Sequence, residues 1–214
     1  MKGIFLEIEL EGEFFYLLHN KALYRPSKKQ LILSDLHLGK AAHFRKQGIP
    51  LPTNGHVEDL ERLGHLIRAW KPKSVLLLGD LFHSNYNREW LWFESFLREH
   101  PTVEFTLVIG NHDVLPPNKY ELPNMTRISR LEERYFIFSH APLDEPEKMN
   151  ICGHVHPGLE IAGSARQSFK LPCFYSGSRH FIMPAFGKLT GLYLLEREKD
   201  SDYYLITRDT IVRV

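Results

Sequence analysis

The sequence predicts an α/β protein built as two stacked β-sheets with helices outside, in one domain spanning residues 1–214. Three observations lead there. Buried strands alternate with amphipathic helices through the first half. The second half shows a succession of short strand-like runs with almost no helical period. No repeat, low-complexity tract or Ser/Gly linker separates the two.

The first 25 residues read as a small antiparallel unit completing a sheet. Ile4, Leu6, Ile8 and Leu10 alternate with Phe5, Glu7 and Glu9, the period of a strand with one buried face. Glu11-Gly12-Glu13 turns the chain, 14–18 runs back, and His19-Asn20-Lys21 turns it again before 22–24. A short apolar strand at 30–34 follows. Thr53-Asn54 cap a helix over 57–70, with Leu60, Leu63, Leu66, Ile67 and Trp70 on one face. A buried strand at 74–79, an amphipathic helix at 88–99 and a strand at 103–110 complete a β-α-β-α-β series, the grammar of a right-handed parallel crossover sheet. Seven later runs (135–139, 150–152, 173–176, 180–183, 191–195, 203–206 and 210–214) imply a second, antiparallel or mixed sheet. Residues 144–148 and 163–170 read as polar loops.

Composition narrows the function classes. The longest apolar runs fall far short of the roughly 18 residues of a membrane span, and Glu7, Glu9 and Glu11 interrupt what could pass for a signal peptide. Two cysteines, Cys152 and Cys173, build no disulfide framework, so a cytoplasmic location with no membrane association is expected. Cys152 reads as a small buried hydrophobe. A net charge of +1 offers no global attraction to a polyanion, so nucleic-acid binding would need a local patch. The twelve histidines exceed an ordinary share.

Each strand of interest ends in a potential metal ligand. Asp35-Leu36-His37 follows the first, Gly79-Asp80 the second, and Gly110-Asn111-His112-Asp113 the third; His140 and Gly153-His154-Val155-His156 follow two later ones. Loops at the carboxyl ends of strands converge on one crevice in open α/β sheets. Carboxylate, imidazole and amide oxygen without thiolates suit manganese, iron or zinc over structural zinc. Glycine before Asp80, Asn111 and His154 lets the chain turn sharply. An extended Gly-His-Val-His segment would place both imidazoles on one side for chelation. Singly, these fragments are also turns, caps and satisfied histidines; their ordered combination is what points to a site.

That ordered set resembles the calcineurin-like metallophosphoesterase superfamily over residues 31–156. The resemblance implies a four-layer α-β-β-α sandwich carrying two metal ions. Asp35, His37 and His156 would hold the first, Asn111, His140 and His154 the second, and Asp80 would bridge them. Leu36–Arg45, Gly79-Asp80-Leu81-Phe82-His83-Ser84 and Pro184-Ala185-Phe186-Gly187 are also similar to the bacterial ligase-associated DNA-damage-response endonucleases, over nearly the whole chain. This implies a manganese-dependent phosphodiesterase acting on single-stranded or duplex DNA, with an ATP-dependent DNA ligase and other repair proteins as partners. Iron, zinc and magnesium are alternative ions. The superfamily's lipid A precursor hydrolases usually carry Arg where this chain has His112, which disfavours the lipid reading.

In such a centre two cations roughly 3.5–4 Å apart hold a hydroxide and phosphate oxygens together. His112 is the candidate proton donor to the leaving oxygen, with Asp113 orienting it or, alternatively, capping a turn. His83 either contacts the phosphate or leaving group or supports a ligand. Lys40, His43, Arg45 and Lys46, on a short helix stopped by Gly48, are candidate phosphate contacts. Arg166, Lys170, Arg179 and His180 form a second possible basic patch. Trp70, Trp90, Trp92 and Phe93 fall at helical spacings and read as core. Two readings compete with the nuclease: a phosphatase or pyrophosphatase of a small ester or nucleotide, and a scaffold that lost catalysis. The scaffold should lack ligands, and none is missing here.

Overall fold

The computed structural model describes residues 4–40, 55–83, 86–163 and 167–214. The N-terminal strands β1 (Phe5–Leu10), β2 (Glu13–Leu18) and β3 (Ala22–Arg25) form an antiparallel meander, as their alternation requires. β3 then pairs antiparallel with β4 (Gln30–Leu33), so the meander extends the main sheet. Next come β5 (Ser74–Leu78), β6 (Glu104–Val108) and β7 (Met125–Ile128), all parallel, giving a seven-stranded sheet in chain order.

Helices α1 (Gly55–Trp70) and α2 (Arg88–Glu99) supply the crossovers. Asn87 caps α2 by accepting the Glu89 N–H at 2.8 Å; such a cap contributes about 1 kcal/mol. The expected α1 caps, Thr53 and Asn54, lie outside the described residues. Both helices pack on one face of the sheet, burying Leu60, Leu63, Leu66, Trp70, Trp90 and Phe93 against Leu31, Leu33, Val75, Leu77, Phe105 and Leu107. Trp92 is partly buried against the same cluster. These aromatics are core.

The second sheet comprises β8 (Leu131–Glu132), β9 (Phe136–Phe138), β10 (Met149–Cys152), β11 (Pro157–Ala162), β12 (Ser168–Ser176), β13 (His180–Ile182), β14 (Tyr193–Leu194), β15 (Asp202–Ile206) and β16 (Ile211–Arg213). β9, β10 and β13 run parallel, whereas β11–β12, β12–β15 and β15–β16 are antiparallel, so the sheet is mixed. Ile32, Leu76, Leu78 and Val108 of the first sheet meet Phe136, Phe138, Ile151, Phe174 and Phe181 of the second in a common core. A smaller cluster of Leu159, Cys173, Tyr203 and Leu205 lies apart from that core on the second sheet.

One expectation needs correction. Residues 163–170 are not all loop: β12 begins at Ser168 and pairs with β11 through Ala162↔Ser168 and Ile161↔Phe169. This outlying hairpin leaves Phe169 exposed, so little apolar burial marked it in the sequence. β7, β8 and β11 have no counterpart among the strand runs that the sequence predicts.

Candidate metal centre

The carboxyl ends of β4, β5, β6, β9 and β10 converge, and the side chains after them form two adjacent clusters. In one, Asp35, His37 and His156 offer ligand atoms all within 4.8 Å of one another; in the other, Asp80, His140 and His154 do so. Each cluster draws on both sheets. Asp80 faces both groups, with Oδ2 at 3.7 Å from His37 Nε2 and Oδ1 at 3.3 Å from His140 Nε2. Asn111 joins the second cluster through Oδ1, 2.9 Å from His140 Nε2.

Left-handed backbone is concentrated at this edge. Asp35, His37, Asp80, His154 and His156 have φ of 56°, 48°, 50°, 67° and 56°. Such conformations cost a side-chain-bearing residue about 1–3 kcal/mol and persist only where the surroundings impose them. Here hydrogen bonds impose them: His37 N–H donates to Asp80 O (2.9 Å), Asp35 N–H to Gly79 O (3.2 Å) and Gly153 N–H to His140 O (2.8 Å). The strain therefore falls on Asp80 and His154 themselves; of the glycines before them, only Gly79 is left-handed. Gly153 is needed for space: a Cβ there would lie 1.6 Å from Ser34 Oγ and 2.6 Å from Asp35 Oδ2. The extended geometry expected for His154 and His156 is also corrected, since both are left-handed; their division between the two clusters is the one that the family resemblance implies.

The donor chemistry fits divalent cations. His140 Nδ1 lies 2.9 Å from the Leu78 carbonyl, which can only accept, so this nitrogen carries the proton. In the neutral ring Nε2 is then a lone pair, yet it faces Asn111 Oδ1 at 2.9 Å, Asp80 Oδ1 at 3.3 Å and His154 Nδ1 at 3.0 Å. Converging acceptors of this kind suit a cation between them. Asp35 shows the same thing. Its Oδ2 accepts from Ser34 Oγ (2.5 Å) and His154 N–H (3.0 Å), while Oδ1 is buried without a hydrogen bond and faces His156 Nε2 at 3.2 Å. Burial pushes the Asp35 carboxyl upward, but His156 and Ser34 outweigh it and hold it below the ordinary range. Burial lowers His37 to about 3, so the ring stays neutral and able to ligate.

The remaining candidates fall into place around this centre. His112 is hung from Asp80: its N–H donates to Oδ1 at 2.9 Å, and Nε2 lies 3.9 Å from Oδ2, with the side chain 40% exposed. His83 stacks on His112 at 3.8 Å between centroids and meets His37 Nδ1 at 3.2 Å, so it buttresses both rings. Asp113 does not orient His112. Its oxygens accept from the Phe82 and Gly110 N–H groups at 3.2 and 2.9 Å, so the turn-capping alternative holds. Burial raises this carboxyl to about 6. Lys40 follows His37 within one turn, its N–H donating to His37 O at 3.2 Å, and desolvation lowers its half-buried ammonium against the pull of Asp35 and Asp80. His43, Arg45 and Lys46 lie outside the described residues, as does Arg166. Of the second basic patch, Arg179 donates to Glu147 O and His180 to Leu143 O, while Lys170 is exposed on β12 in register with Glu160.

Supporting residues that the motifs did not flag include Asn150 and Glu89. Asn150 is fully buried and binds Ile137 O, Ser139 Oγ and Leu143 N–H, fixing the loop that carries His140. Glu89, also buried, accepts the Gly39 N–H at 2.7 Å and holds the chain leaving His37. Glu89 stands in the first turn of α2, where an acidic residue is ordinary, and Asn150 within β10, so neither formed part of a motif.

Two stacked mixed sheets with paired Asp/His clusters at one edge define a metal-dependent phosphoesterase. The chain belongs to the calcineurin-like phosphoesterase family, whose model matches residues 28–209. The crystal structure of Pseudomonas putida nuclease MPE is similar, with a TM-score of 0.81 and 26% identity, covering 97% of this chain and 100% of that one. Yfce, a phosphoesterase from E. coli, aligns with a TM-score of 0.43 and 14% identity, over 86% of this chain and 97% of its own. No curated protein matches the sequence. No helix among the described residues is long and apolar enough to cross a membrane.

Proposed function

We propose that the protein is a manganese-dependent phosphodiesterase that cleaves DNA in a repair setting, alongside an ATP-dependent DNA ligase. The observation that carries the nuclease reading is the likeness to a Pseudomonas putida nuclease over 97% of this chain and 100% of that one. The ligase-associated context rests on the motif resemblance around His37, Asp80 and Phe186.

Asp35, His37 and His156 would hold one ion, Asn111, His140 and His154 the other, and Asp80 would touch both through its two oxygens. When bound, two divalent ions supply charge neutralisation at the phosphoryl group and activation of water. The protein's own groups do the rest. His112 is exposed enough to reach substrate and is held by Asp80 and the His83 ring, so it would deliver a proton to the leaving oxygen. His83, against His37 and His112, would keep both rings in place. Lys40 would contact a phosphate next to the scissile one.

The test is to present manganese-loaded protein with single-stranded DNA, duplex DNA and a panel of phosphomonoesters at matched salt. DNA cleavage that Asp80→Asn abolishes together with metal uptake is expected. Phosphomonoester turnover well above that for DNA would overturn the nuclease reading and favour a small-ester phosphatase, which the near-neutral charge of +1 would accommodate.

A further inference from the structure

The Pro184-Ala185-Phe186-Gly187 motif carries no metal-type side chain, yet it is bonded to the backbone that does. Phe186 N–H donates to Ser34 O at 2.8 Å and Gly187 N–H to Asp35 O at 3.0 Å, and Ala185 bridges to Ser34. The fit is close, since a Cβ on Gly187 would lie 2.4 Å from Leu36 O. Just upstream, Met183 N–H donates to Cys152 O at 2.7 Å, beside the loop of His154. The motif therefore grips the peptide of Asp35, whose φ of 56° is one it would leave if released.

Helix α1 holds the motif from behind. Asp59 is fully buried; one oxygen accepts the Lys188 N–H at 3.1 Å and the other pairs with Arg62 Nη2 at 3.0 Å. Arg62, with 17% of its side chain exposed, donates to Phe186 O and lies over the Phe186 ring, 4.0 Å from its centroid. One nitrogen, Nη2, both donates to the Phe186 carbonyl and faces Asp59, while the flat guanidinium lies over the ring, a stacking that a point-charge ammonium would not reproduce. Packing alone would cover Phe186 without setting the direction of the Gly187 N–H.

We propose that Asp59 and Arg62 are positioning residues for the Asp35–His37–His156 cluster, acting through the Phe186-Gly187 backbone. This rests on reading that cluster as a metal site. α1 thereby reaches the metal edge without supplying a ligand, and the motif has a use that catalysis left unassigned.

The experiment titrates metal-free wild type, Arg62→Ala, Arg62→Lys and Asp59→Asn with manganese, and follows amide exchange at Phe186 and Gly187 in the metal-free proteins. Arg62→Ala should weaken one of the two binding events 10–100-fold, as loss of a residue supporting a ligand does, and leave the other near wild type. Phe186 and Gly187 amides should exchange faster. Turnover at saturating manganese should be largely restored, so the change appears in the manganese requirement. Arg62→Lys, which keeps the charge but not the flat guanidinium stacked on the Phe186 ring, should not recover the affinity. Two wild-type affinities in Arg62→Ala, even with a lowered melting temperature, would overturn the inference. Should that variant fail to fold, Phe186→Leu removes the ring under the guanidinium while keeping apolar bulk, and wild-type affinities there would overturn it equally. A wild type that takes up no manganese would overturn the metal reading, and this inference with it.

Discussion

Replacing Gly79 with alanine tests how tightly the backbone sets the centre. Gly79 has φ of +77°, and a Cβ there would stand 2.3 Å from His140 Nδ1 and 2.5 Å from its Cγ. An ordinary contact begins near 3.4 Å, so the ring must retreat by about 1 Å or the strand end must move. His140 is 7% exposed and tied to Leu78 O, so it has little room to retreat. The left-handed alanine costs about 1–2 kcal/mol and overpacking about 1–3 kcal/mol, giving a destabilisation of about 2–5 kcal/mol. A displaced Nε2 leaves the focus it shares with Asn111, Asp80 and His154, and manganese affinity should fall by at least about tenfold. The control is Gly12→Ala, where φ is +76° but nothing lies within 4 Å of the new Cβ. That variant should show only the backbone cost. Urea unfolding and calorimetric manganese titration of both variants separate the two contributions. A Gly79→Ala protein with wild-type metal affinity and no greater loss of stability than Gly12→Ala would refute the packing argument.

His112→Ala should keep both ions but lower kcat by roughly 10²–10⁴, most for substrates with poor leaving groups; equal losses on DNA and an activated aryl diester would contradict proton donation. The metal-free protein should lose stability as pH falls from about 6.5 towards 3, because unfolded His37 binds a proton there and buried His37 does not. The slope from this residue is at most about 1.4 kcal/mol per pH unit, and His37→Asn should flatten it in urea unfolding at pH 7, 5 and 4. Lys40→Ala should raise KM for single-stranded DNA and reduce the log–log salt slope by about 0.7, leaving a small aryl diester nearly unaffected; an unchanged slope would remove Lys40 from the phosphate track.

The first half of the fold was legible because burial there is one-sided or complete over several residues. Leu60, Leu63, Leu66, Ile67 and Trp70 repeat at helical spacing, and α1 ends at Trp70 as that stripe does. β8 contains two residues, too few to show any period. Residues 168–170 are exposed, so the beginning of β12 read as a polar loop. At the centre, the residue types and their order revealed the two Asp/His groups. Spacing alone put His154 and His156 on one side of an extended segment; only the family resemblance assigned them to different ions, because their separation depends on left-handed backbone at non-glycine positions. Nor could residue types and order choose between the two roles of Asp113, since a carboxylate after histidine serves a turn amide as readily as an imidazole. Arg62 and Asp59 looked like an ordinary polar stretch of α1 because their partners lie more than 120 residues away.

The origin of each cluster's side chains has a mechanical consequence. Asp35 and His37 leave the first sheet and His156 the second; Asp80 leaves the first and His140 and His154 the second. An ion in either group would act as a rivet between layers joined by their common apolar core and by a few hydrogen bonds, such as His140 Nδ1 to Leu78 O and His154 N–H to Asp35 Oδ2. Ion binding at a hundredfold excess over Kd stabilises the folded chain by about 2.7 kcal/mol per site, and here that gain opposes sliding of one sheet over the other. Chelation should therefore open the sandwich first along this edge, while Arg25, bonded to Glu13 and Glu133 across the two sheets, keeps another point fastened. Metal supply would set the shear stiffness of the whole molecule as well as its chemistry.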